Sequence, residues 1–302
     1  MRDSRRRLVL LSVFVAALAA HTAAAQPAAE AYRFGVVSFY NPRIMYLKYQ
    51  PLVDYLSLTT GHPWELVISP SYETTVQALC DGSLTMAYLG PLTYVRAHAA
   101  CGAVPLVRLR SGGSDTYRSL IMVRRASTLH RLRDLAGRRF GFGSPLSTSS
   151  HLAPRAMLQA AGLVAGRDLE CRYFEHHERA ARAVLLGEVD ACGIRDIIGH
   201  RFEARGLRVL AESEPLPNFP FVVPAASPEP VRQLLIHALV ELPRSDPSAR
   251  ATIAGWDAEL AAGFAPCRDS AYDGIRALAR RVFGPAYLTM SESQLQCSLG
   301  GR

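Results

Sequence analysis

Hydroxyl-bearing residues are concentrated in one segment near the middle of the chain, residues 143–154, which has the sequence GSPLSTSSHLAP. Four of them are consecutive: Ser147, Thr148, Ser149 and Ser150. The segment follows a predicted strand and begins a predicted helix, so the free N–H groups and the positive dipole end of that helix would lie beside the hydroxyls. These features predict a binding site for an oxyanion. The alternative interpretation is that one serine caps the helix and the others only fill a loop.

Motifs that would indicate catalysis are missing from the sequence. It contains no GxSxG, no P-loop, no HExxH and no complete GxGxxG, because Gly141 and Gly143 lack the third glycine. The one nucleophile and base that can be nominated are Ser149 with His151 or His177. We therefore expect no enzyme activity. The histidines are scattered and no CxxC or CxxH occurs, so neither a metal nor a cofactor is expected.

The composition is that of a folded protein with a moderate positive charge. Hydrophobic residues make up 49% and charged residues 20%, which excludes a disordered scaffold. The net charge is +8, but Lys48 is the only lysine, and such an arginine bias indicates genome composition rather than nucleic-acid binding. Residues 119–221 hold 15 arginines against 11 acidic residues, a net +4 that favours the approach of anions.

The N-terminus has the pattern of an export signal. A cationic stretch (residues 1–7) precedes an apolar run (8–20), and three alanines lead to a candidate cleavage site at Ala25-Gln26. The apolar run is too short to span a bilayer, so we expect cleavage rather than anchoring. Residues 4–9 also resemble the twin-arginine export pattern, which leaves the export route open.

The six cysteines are expected to form disulfides after export. They are at positions 80, 101, 171, 192, 267 and 297. Cys80 and Cys101 each end a predicted helix and could meet at one end of an α/β layer, so this pair is favoured. A Cys267–Cys297 bridge would fasten the C-terminal tail to the body. Cys171 and Cys192 are on two predicted strands that would lie on either side of a third strand. That separation is too large for a disulfide bond.

Predicted strands and helices alternate along the chain, which is typical of mostly parallel sheets with helices on both faces. Strands are predicted at residues 32–39, 65–69, 85–89, 104–110, 119–125, 138–142, 169–174, 189–194 and 207–211. Helices are predicted at residues 43–60, 72–81, 91–100, 129–135, 151–161, 178–186, 231–242 and 272–282. Breaks at residues 111–115 and 215–220 indicate two crossings between lobes. The expected organisation is a signal peptide (1–25), a first lobe (30–118 and 222–302) and a second lobe (119–221).

The chain resembles the periplasmic phosphate-, phosphite- and phosphonate-binding proteins of ABC transporters, a branch of the type II solute-binding proteins, over residues 32–290. The matching segments are YQPLVDYL (49–56), MAYLGPLTY (86–94), DTYRSLIMV (115–123), PLSTSSHLAP (145–154), HHERAARAVLLGEVDA (176–191) and PLPNFP (215–220). The resemblance implies a two-lobed α/β clamshell, a periplasmic monomer that closes on a small phosphorus oxyanion and passes it to an ABC transporter permease. Two alternatives remain open: a sensor that serves a membrane kinase, and a binding protein for another solute, such as a sulfur oxyanion or a vitamin precursor.

The resemblance also implies a set of ligand-binding residues. These are Ser147, Thr148 and Ser149 on the loop, Tyr117 at the crossing, Tyr94 or Tyr88 from the first lobe, and His177 from the second. Each has a structural alternative, since the tyrosines could be core aromatics and the histidine a helix-terminal residue. We expect the imidazole of His177 to strengthen binding most when protonated, below its ordinary pKa of about 6.5.

Two positions depart from the family pattern. Ser150 stands where the family commonly has glycine, so we expect the loop to approach the ligand differently. The family often has an acidic residue shortly after the segment VDA, where it meets the ammonium group of amine-bearing ligands; here that place falls on Arg195 or Asp196. If Arg195 faces the cleft, the expected ligand is a plain or doubly charged oxyanion rather than an aminoalkylphosphonate.

Overall fold

Two β-sheets flanked by helices organise the protein. The structure, a computed structural model, describes residues 31–297. The predicted signal peptide (1–25) and its cleavage site lie outside these residues. Among the residues described, no helix combines the length and the apolar character needed to cross a membrane.

In the described residues, nine strands lie close to the predicted positions, whereas those at 116–117, 216–217, 220–223 and 264–266 were not predicted. The strands are β1 (Tyr32–Val36), β2 (Trp64–Ile68), β3 (Met86–Tyr88), β4 (Val104–Leu109), β5 (Thr116–Tyr117), β6 (Ser119–Arg124), β7 (Arg139–Phe142), β8 (Glu170–Tyr173), β9 (Ala191–Arg195), β10 (Leu207–Glu212), β11 (Leu216–Pro217), β12 (Pro220–Val223) and β13 (Phe264–Pro266).

The helices between them are of three kinds. The α-helices are α1 (Pro42–Thr60), α2 (Tyr72–Cys80), α3 (Pro91–Cys101), α4 (Ala153–Ala160), α5 (His177–Leu185), α6 (Asp196–Glu203), α7 (Glu229–Ile236), α8 (Leu242–Ser245), α9 (Pro247–Ala254), α10 (Asp273–Phe283) and α11 (Glu292–Leu295). Short 3₁₀ turns lie at Leu132–Leu135, Asp269–Tyr272 and Pro285–Leu288, and π-helical turns at Thr148–Leu152 and His237–Glu241.

Each sheet forms the centre of one lobe. The sheet of the first lobe has the order β13-β4-β12-β3-β1-β2, and that of the second lobe the order β10-β6-β9-β7-β8. β1 pairs parallel with β2 and β3, and β7 pairs parallel with β8 and β9. The strands next to the crossings, β6 and β12, pair antiparallel, because the chain enters each sheet from the opposite lobe. The two-lobed α/β architecture is therefore confirmed, with sheets more mixed than expected.

The crossings themselves form a small two-stranded sheet. β5 and β11 pair antiparallel, with Tyr117 opposite Leu216, so both connections between the lobes run side by side. The following strand β12 lies inside the sheet of the first lobe, between β4 and β3. The boundary predicted after residue 221 therefore falls within this strand.

Local sequence signals explain most element boundaries. The side chain of Asn41 caps α1 by accepting from the N–H of Ile44 at 3.1 Å, and Gly61 ends the helix with a φ of +69°. The predicted helix 129–135 is the main exception, since it is only a 3₁₀ turn. There the carboxylate of Asp134 accepts from the backbone N–H groups of His130 and Arg131, which holds a turn instead of a longer helix.

The disulfides combine one confirmed prediction with one correction. Cys80 and Cys101 are bonded, with Cα atoms 5.6 Å apart, as predicted. Cys297 is bonded to Cys171, not to Cys267, because the segment after α10 runs to the outer strand β8 of the second lobe. There the backbone N–H of Cys297 also donates to the hydroxyl of Tyr173 at 2.8 Å. Cys192 and Cys267 are unpaired among the residues described.

Candidate oxyanion site

The hydroxyl-rich segment forms the beginning of a helix, as predicted. Ser147 is the N-cap, with its Oγ accepting from the N–H of Ser150 at 3.1 Å; the π-helical turn Thr148–Leu152 follows and continues into α4. Gly143 is required where the chain leaves β7, since a Cβ there would lie 2.4 Å from Oγ of Ser150. Thr148 and Ser149 begin the helix, and N–H groups at these positions have no carbonyl partner within it. The helix therefore presents buried donors at its start.

The four hydroxyls have different partners. Ser150 donates to the carbonyl of Gly193 in β9 at 2.6 Å, so its role is structural. Oγ1 of Thr148 accepts from the N–H of Leu92 in the first lobe at 2.8 Å, which leaves its own hydrogen free to donate. Oγ of Ser149 has no hydrogen-bond partner in the described part of the chain, although it is fully buried. Ser149 is therefore the loop hydroxyl that most clearly lacks a partner.

Tyr117 supplies a second buried hydroxyl without a partner among residues 31–297. It lies on β5, in the crossing, with its ring against that of Phe219 at a centroid separation of 5.3 Å. Burial raises the pKa of this hydroxyl, while the positive charge of Arg195 and the neighbouring hydroxyl of Ser149 oppose the rise. The two hydroxyls without partners, on Tyr117 and Ser149, are thus neighbours.

His177 adds a neutral donor to the same place. As the first residue of α5 it accepts, through Nδ1, the backbone N–H of Arg195 at 3.1 Å, and its Nε2 lies 3.3 Å from Oγ of Ser147. Burial first, then the charges of Arg195 and His176, lower its pKa to about 3. The imidazole is therefore neutral between about pH 3 and 6.5, the range in which the sequence predicted it to be protonated. Because Nδ1 is an acceptor, Nε2 carries the hydrogen and can donate it.

Hydrogen bonds join the two lobes around this site. In addition to the contact of Thr148 with Leu92, Oγ1 of Thr93 donates to the carbonyl of Leu146 at 3.1 Å. The N–H of His177 donates to the carbonyl of Phe39 at 3.3 Å. The site is thus enclosed between the lobes.

The side chain of Arg195 is buried where the two lobes meet. Its guanidinium, 1% exposed, donates to Oε1 of Glu259 at 2.7 Å and to Oδ1 of Asn218 at 3.1 Å. The guanidinium carbon lies 4.2 Å from the ring centroid of Phe219 and 5.0 Å from that of Tyr117. A buried cation is therefore fixed directly beside the ring whose hydroxyl lacks a partner.

The hydroxyls of the other two predicted tyrosines, Tyr88 and Tyr94, bond to protein carboxylates. Tyr88 is buried in the first lobe and its hydroxyl donates to Glu259 at 3.0 Å, so it belongs to the surroundings of Arg195. The hydroxyl of Tyr94 donates to Asp269, and its ring packs on Tyr272. The structure brings Ser147, Thr148, Ser149, Tyr117, His177 and Arg195 together, with Tyr88 behind them, and leaves Tyr94 apart. The helical rotation of α3 explains this, because the side chain of the preceding residue, Thr93, is the one that contacts the loop.

Sequence reasoning missed several residues of the site. Tyr72 begins α2 and lines the same pocket as Gly143 and Ser144 of the hydroxyl-rich segment. Burial raises the pKa of its hydroxyl. Its position at the carboxyl end of β2, after the N-cap Ser71, was an available signal. Glu259 gave no such signal, because it comes from a loop distant in sequence. Within the described residues, no three His, Cys, Asp or Glu side chains group as metal ligands.

The chain is similar to known proteins over most of its length. Residues 34–272 match the family described as "ABC transporter, phosphonate, periplasmic substrate-binding protein". The chain is 30% identical over 154 residues to the phosphate-import protein PhnD of Mycolicibacterium smegmatis, which covers 47% of this chain and 48% of that protein. The chain spans about half the length of the curated relatives it matches.

Two solved structures are similar in fold. A binding protein component of an ABC phosphonate transporter from Pseudomonas aeruginosa has a TM-score of 0.76 at 19% identity, covering 89% of this chain and 93% of that one. PhnD1 from Prochlorococcus marinus, in complex with methylphosphonate, has a TM-score of 0.74 at 17% identity, covering 84% and 98%. At such identities the similarity establishes the two-lobed fold.

Proposed function

This chain belongs to the family of periplasmic substrate-binding proteins of phosphonate ABC transporters, and we propose that it captures a small phosphorus oxyanion between its lobes for delivery to such a transporter. The capture is binding rather than catalysis: the oxyanion is enclosed when the lobes close and is released unchanged.

The observation that best supports this proposal is the pair of buried hydroxyls, on Ser149 and Tyr117, that lack partners in the part of the chain the structure describes. A buried polar atom without a partner costs about 1–3 kcal/mol, and such atoms indicate a site that a ligand completes. Both are donors beside the start of a helix, which favours an anion. The neutral His177 carries its hydrogen on Nε2, which lies 3.3 Å from Oγ of Ser147 at the same helix start.

The donor set is sufficient for useful affinity. Hydrogen bonds to a charged group contribute about 1.5–3 kcal/mol each. Four or five of them, offset by desolvation and by ordering of the lobes, correspond to a dissociation constant of about 1 μM or lower. The excess of arginine in residues 119–221 would attract the anion toward the cleft, and this attraction should weaken as salt is added.

A thermal-unfolding screen with calorimetric titration tests the proposal. The ligand-free protein is incubated with phosphate, phosphite, methylphosphonate, sulfate, and a panel of sugars and amino acids. We expect a phosphorus oxyanion to raise the melting temperature, because a ligand that binds only the folded state stabilises it. The Ser149→Ala variant is expected to lose this response. A response to sulfate alone, or to a sugar or amino acid alone, would overturn the assignment.

The transport role and the location have a separate test. We expect the protein in the periplasmic fraction, and we expect the loaded form to stimulate ATP hydrolysis by the ABC transporter encoded with it, reconstituted in lipid vesicles. Capture of a membrane sensor kinase, without stimulation of the transporter, would instead support the sensory alternative.

A further inference from the structure

A buried ion pair between Arg195 and Glu259 lies next to Tyr117, whose hydroxyl the proposed ligand would contact. Arg195 ends β9 of the second lobe, and Glu259 lies in the loop between α9 and β13 of the first lobe. Nη1 of Arg195 is 2.7 Å from Oε1 of Glu259, and the side chains are 1% and 0% exposed. The pair therefore joins the lobes at a point with almost no access to solvent.

The carboxylate of Glu259 is fully committed to the protein. It accepts from the hydroxyls of Tyr88 at 3.0 Å and Tyr49 at 3.3 Å, besides Arg195. Its Oε2 also lies 3.4 Å from Nζ of Lys48. Since two cations and several hydroxyls already satisfy it, Glu259 has no capacity left to receive an ammonium group from a ligand.

The guanidinium of Arg195, unlike the carboxylate of Glu259, has a hydrogen-bonding group without a partner in the described part of the chain. Two of its nitrogens are occupied by Glu259 and Asn218, but Nε is buried without a hydrogen-bond partner within residues 31–297. The same holds for the hydroxyls of Tyr117 and Ser149, so three donors without partners belong to one neighbourhood. The guanidinium lies on the faces of Phe219 and Tyr117, and these rings leave it little freedom to move away. A ligand bound at the hydroxyl of Tyr117 would lie close to this cation.

We propose that Arg195 determines the specificity of the site, by presenting a fixed positive charge and a bulky side chain to the fourth substituent on phosphorus. This inference rests on the proposed function and narrows its ligand class. The site accepts an oxyanion whose fourth substituent is oxygen, hydrogen or methyl. It rejects a phosphonate whose substituent ends in an ammonium group, because that group would be desolvated beside a like charge.

Calorimetric titration of the ligand-free wild-type protein provides the first test. Methylphosphonate is compared with ethylphosphonate, which adds only size, and with 2-aminoethylphosphonate, which adds a positive charge. We expect 2-aminoethylphosphonate to bind at least 100-fold more weakly than methylphosphonate, and at least tenfold more weakly than ethylphosphonate. Equal affinities would overturn this inference and leave the proposed function intact. Failure to bind any phosphorus oxyanion would overturn the proposed function, and this inference with it.

Variants test whether Arg195 causes the preference for ethylphosphonate over 2-aminoethylphosphonate. Arg195→Ala removes the cation and retains the carboxylate of Glu259, so the preference for ethylphosphonate over 2-aminoethylphosphonate should shrink at least tenfold. The double variant Arg195→Ala/Glu259→Gln does not bury an unpaired carboxylate, and it should show the same direction if the single variant fails to fold. Lys48→Gln is the matched control: Lys48 approaches the same Glu259 but lies over Tyr40, so the preference should stay within twofold. An unchanged preference in both Arg195 variants would contradict the proposal.

Discussion

The backbone N–H of Arg195 donates to Nδ1 of His177 at 3.1 Å, and this contact decides which nitrogen of the imidazole carries the hydrogen. With Nδ1 an acceptor and the ring neutral, the hydrogen must be on Nε2, which lies 3.3 Å from Oγ of Ser147. One strand end thus provides both the cation of the site, through the side chain of Arg195, and the orientation of its neutral donor, through the backbone.

Removing the hydroxyl of Ser149 should separate binding from stability. Ser149→Ala is expected to weaken binding of the phosphorus oxyanion at least tenfold, and to leave the melting temperature of the ligand-free protein unchanged or slightly higher, because this hydroxyl has no partner among residues 31–297 to lose. Ser150→Ala is the matched control. It breaks the bond to Gly193, so it should cost about 1 kcal/mol of unfolding free energy and change affinity less than threefold. Affinity is measured by calorimetry and stability by urea unfolding. A loss of affinity in Ser150→Ala together with a loss of stability in Ser149→Ala would mean that Ser150 binds the ligand and Ser149 supports the structure.

Removing the hydroxyls of Tyr117 and Tyr94 tests whether the first belongs to the binding site and the second does not. Tyr117→Phe should lower oxyanion affinity at least fivefold with little change in stability, since no described residue is its partner. Tyr94→Phe should reduce stability by about 1 kcal/mol, because the bond to Asp269 is lost, with affinity within twofold of wild type. Titration calorimetry on both variants checks this. A large loss of affinity in Tyr94→Phe would return that residue to the site.

The buried histidines should make the ligand-free protein sensitive to acid. The folded-state pKa values of His151 and His177 are both lowered to about 3, mainly by burial, so between pH 3 and 6.5 the unfolded chain binds protons that the folded chain does not. Stability should therefore fall as the pH drops below about 6.5, by about 1.4 kcal/mol per pH unit for each histidine.

The variant His177→Gln isolates one half of this effect. Urea unfolding between pH 4 and 8 should show the acid slope reduced by about one proton, with the share of His151 retained. An unaltered slope would mean that His177 titrates in the folded protein near its ordinary pKa.

The bond between Cys171 and Cys297 should contribute strongly to stability. It closes a loop of 126 residues, and constraining the unfolded chain to this extent corresponds to about 2–5 kcal/mol. Cys297→Ser should lose this amount in chemical unfolding under oxidising conditions. Cys267→Ser is the control, because Cys267 is unpaired in the described part of the chain, and it should stay within about 1 kcal/mol of wild type. Equal losses in both variants would favour the bridge to Cys267 that the sequence first suggested.

The local signals in the sequence determined the elements and one part of the site. Alternating strand and helix patterns, with helix caps such as Asn41 and helix-ending glycines such as Gly61, fix short-range geometry, so the boundaries of most predicted elements lie within a few residues of those observed. The strands β5, β11, β12 and β13 were not predicted. The loop from Ser147 to Ser149 was predictable for the same reason, because its donors come from neighbouring residues at one helix start.

Only the tertiary structure decided which distant residues meet. Arg195 and Glu259 are 64 residues apart in sequence, and their pairing depends on how the lobes close. Burial, which follows from packing, set the neutral state of His177 against its ordinary pKa. The path of the C-terminal segment directed Cys297 to Cys171, and the rotation of α3 turned Tyr94 away. Sequence periodicity indicates which residues face a core. These contacts instead depend on how whole helices and strands are arranged, which the local sequence pattern does not determine.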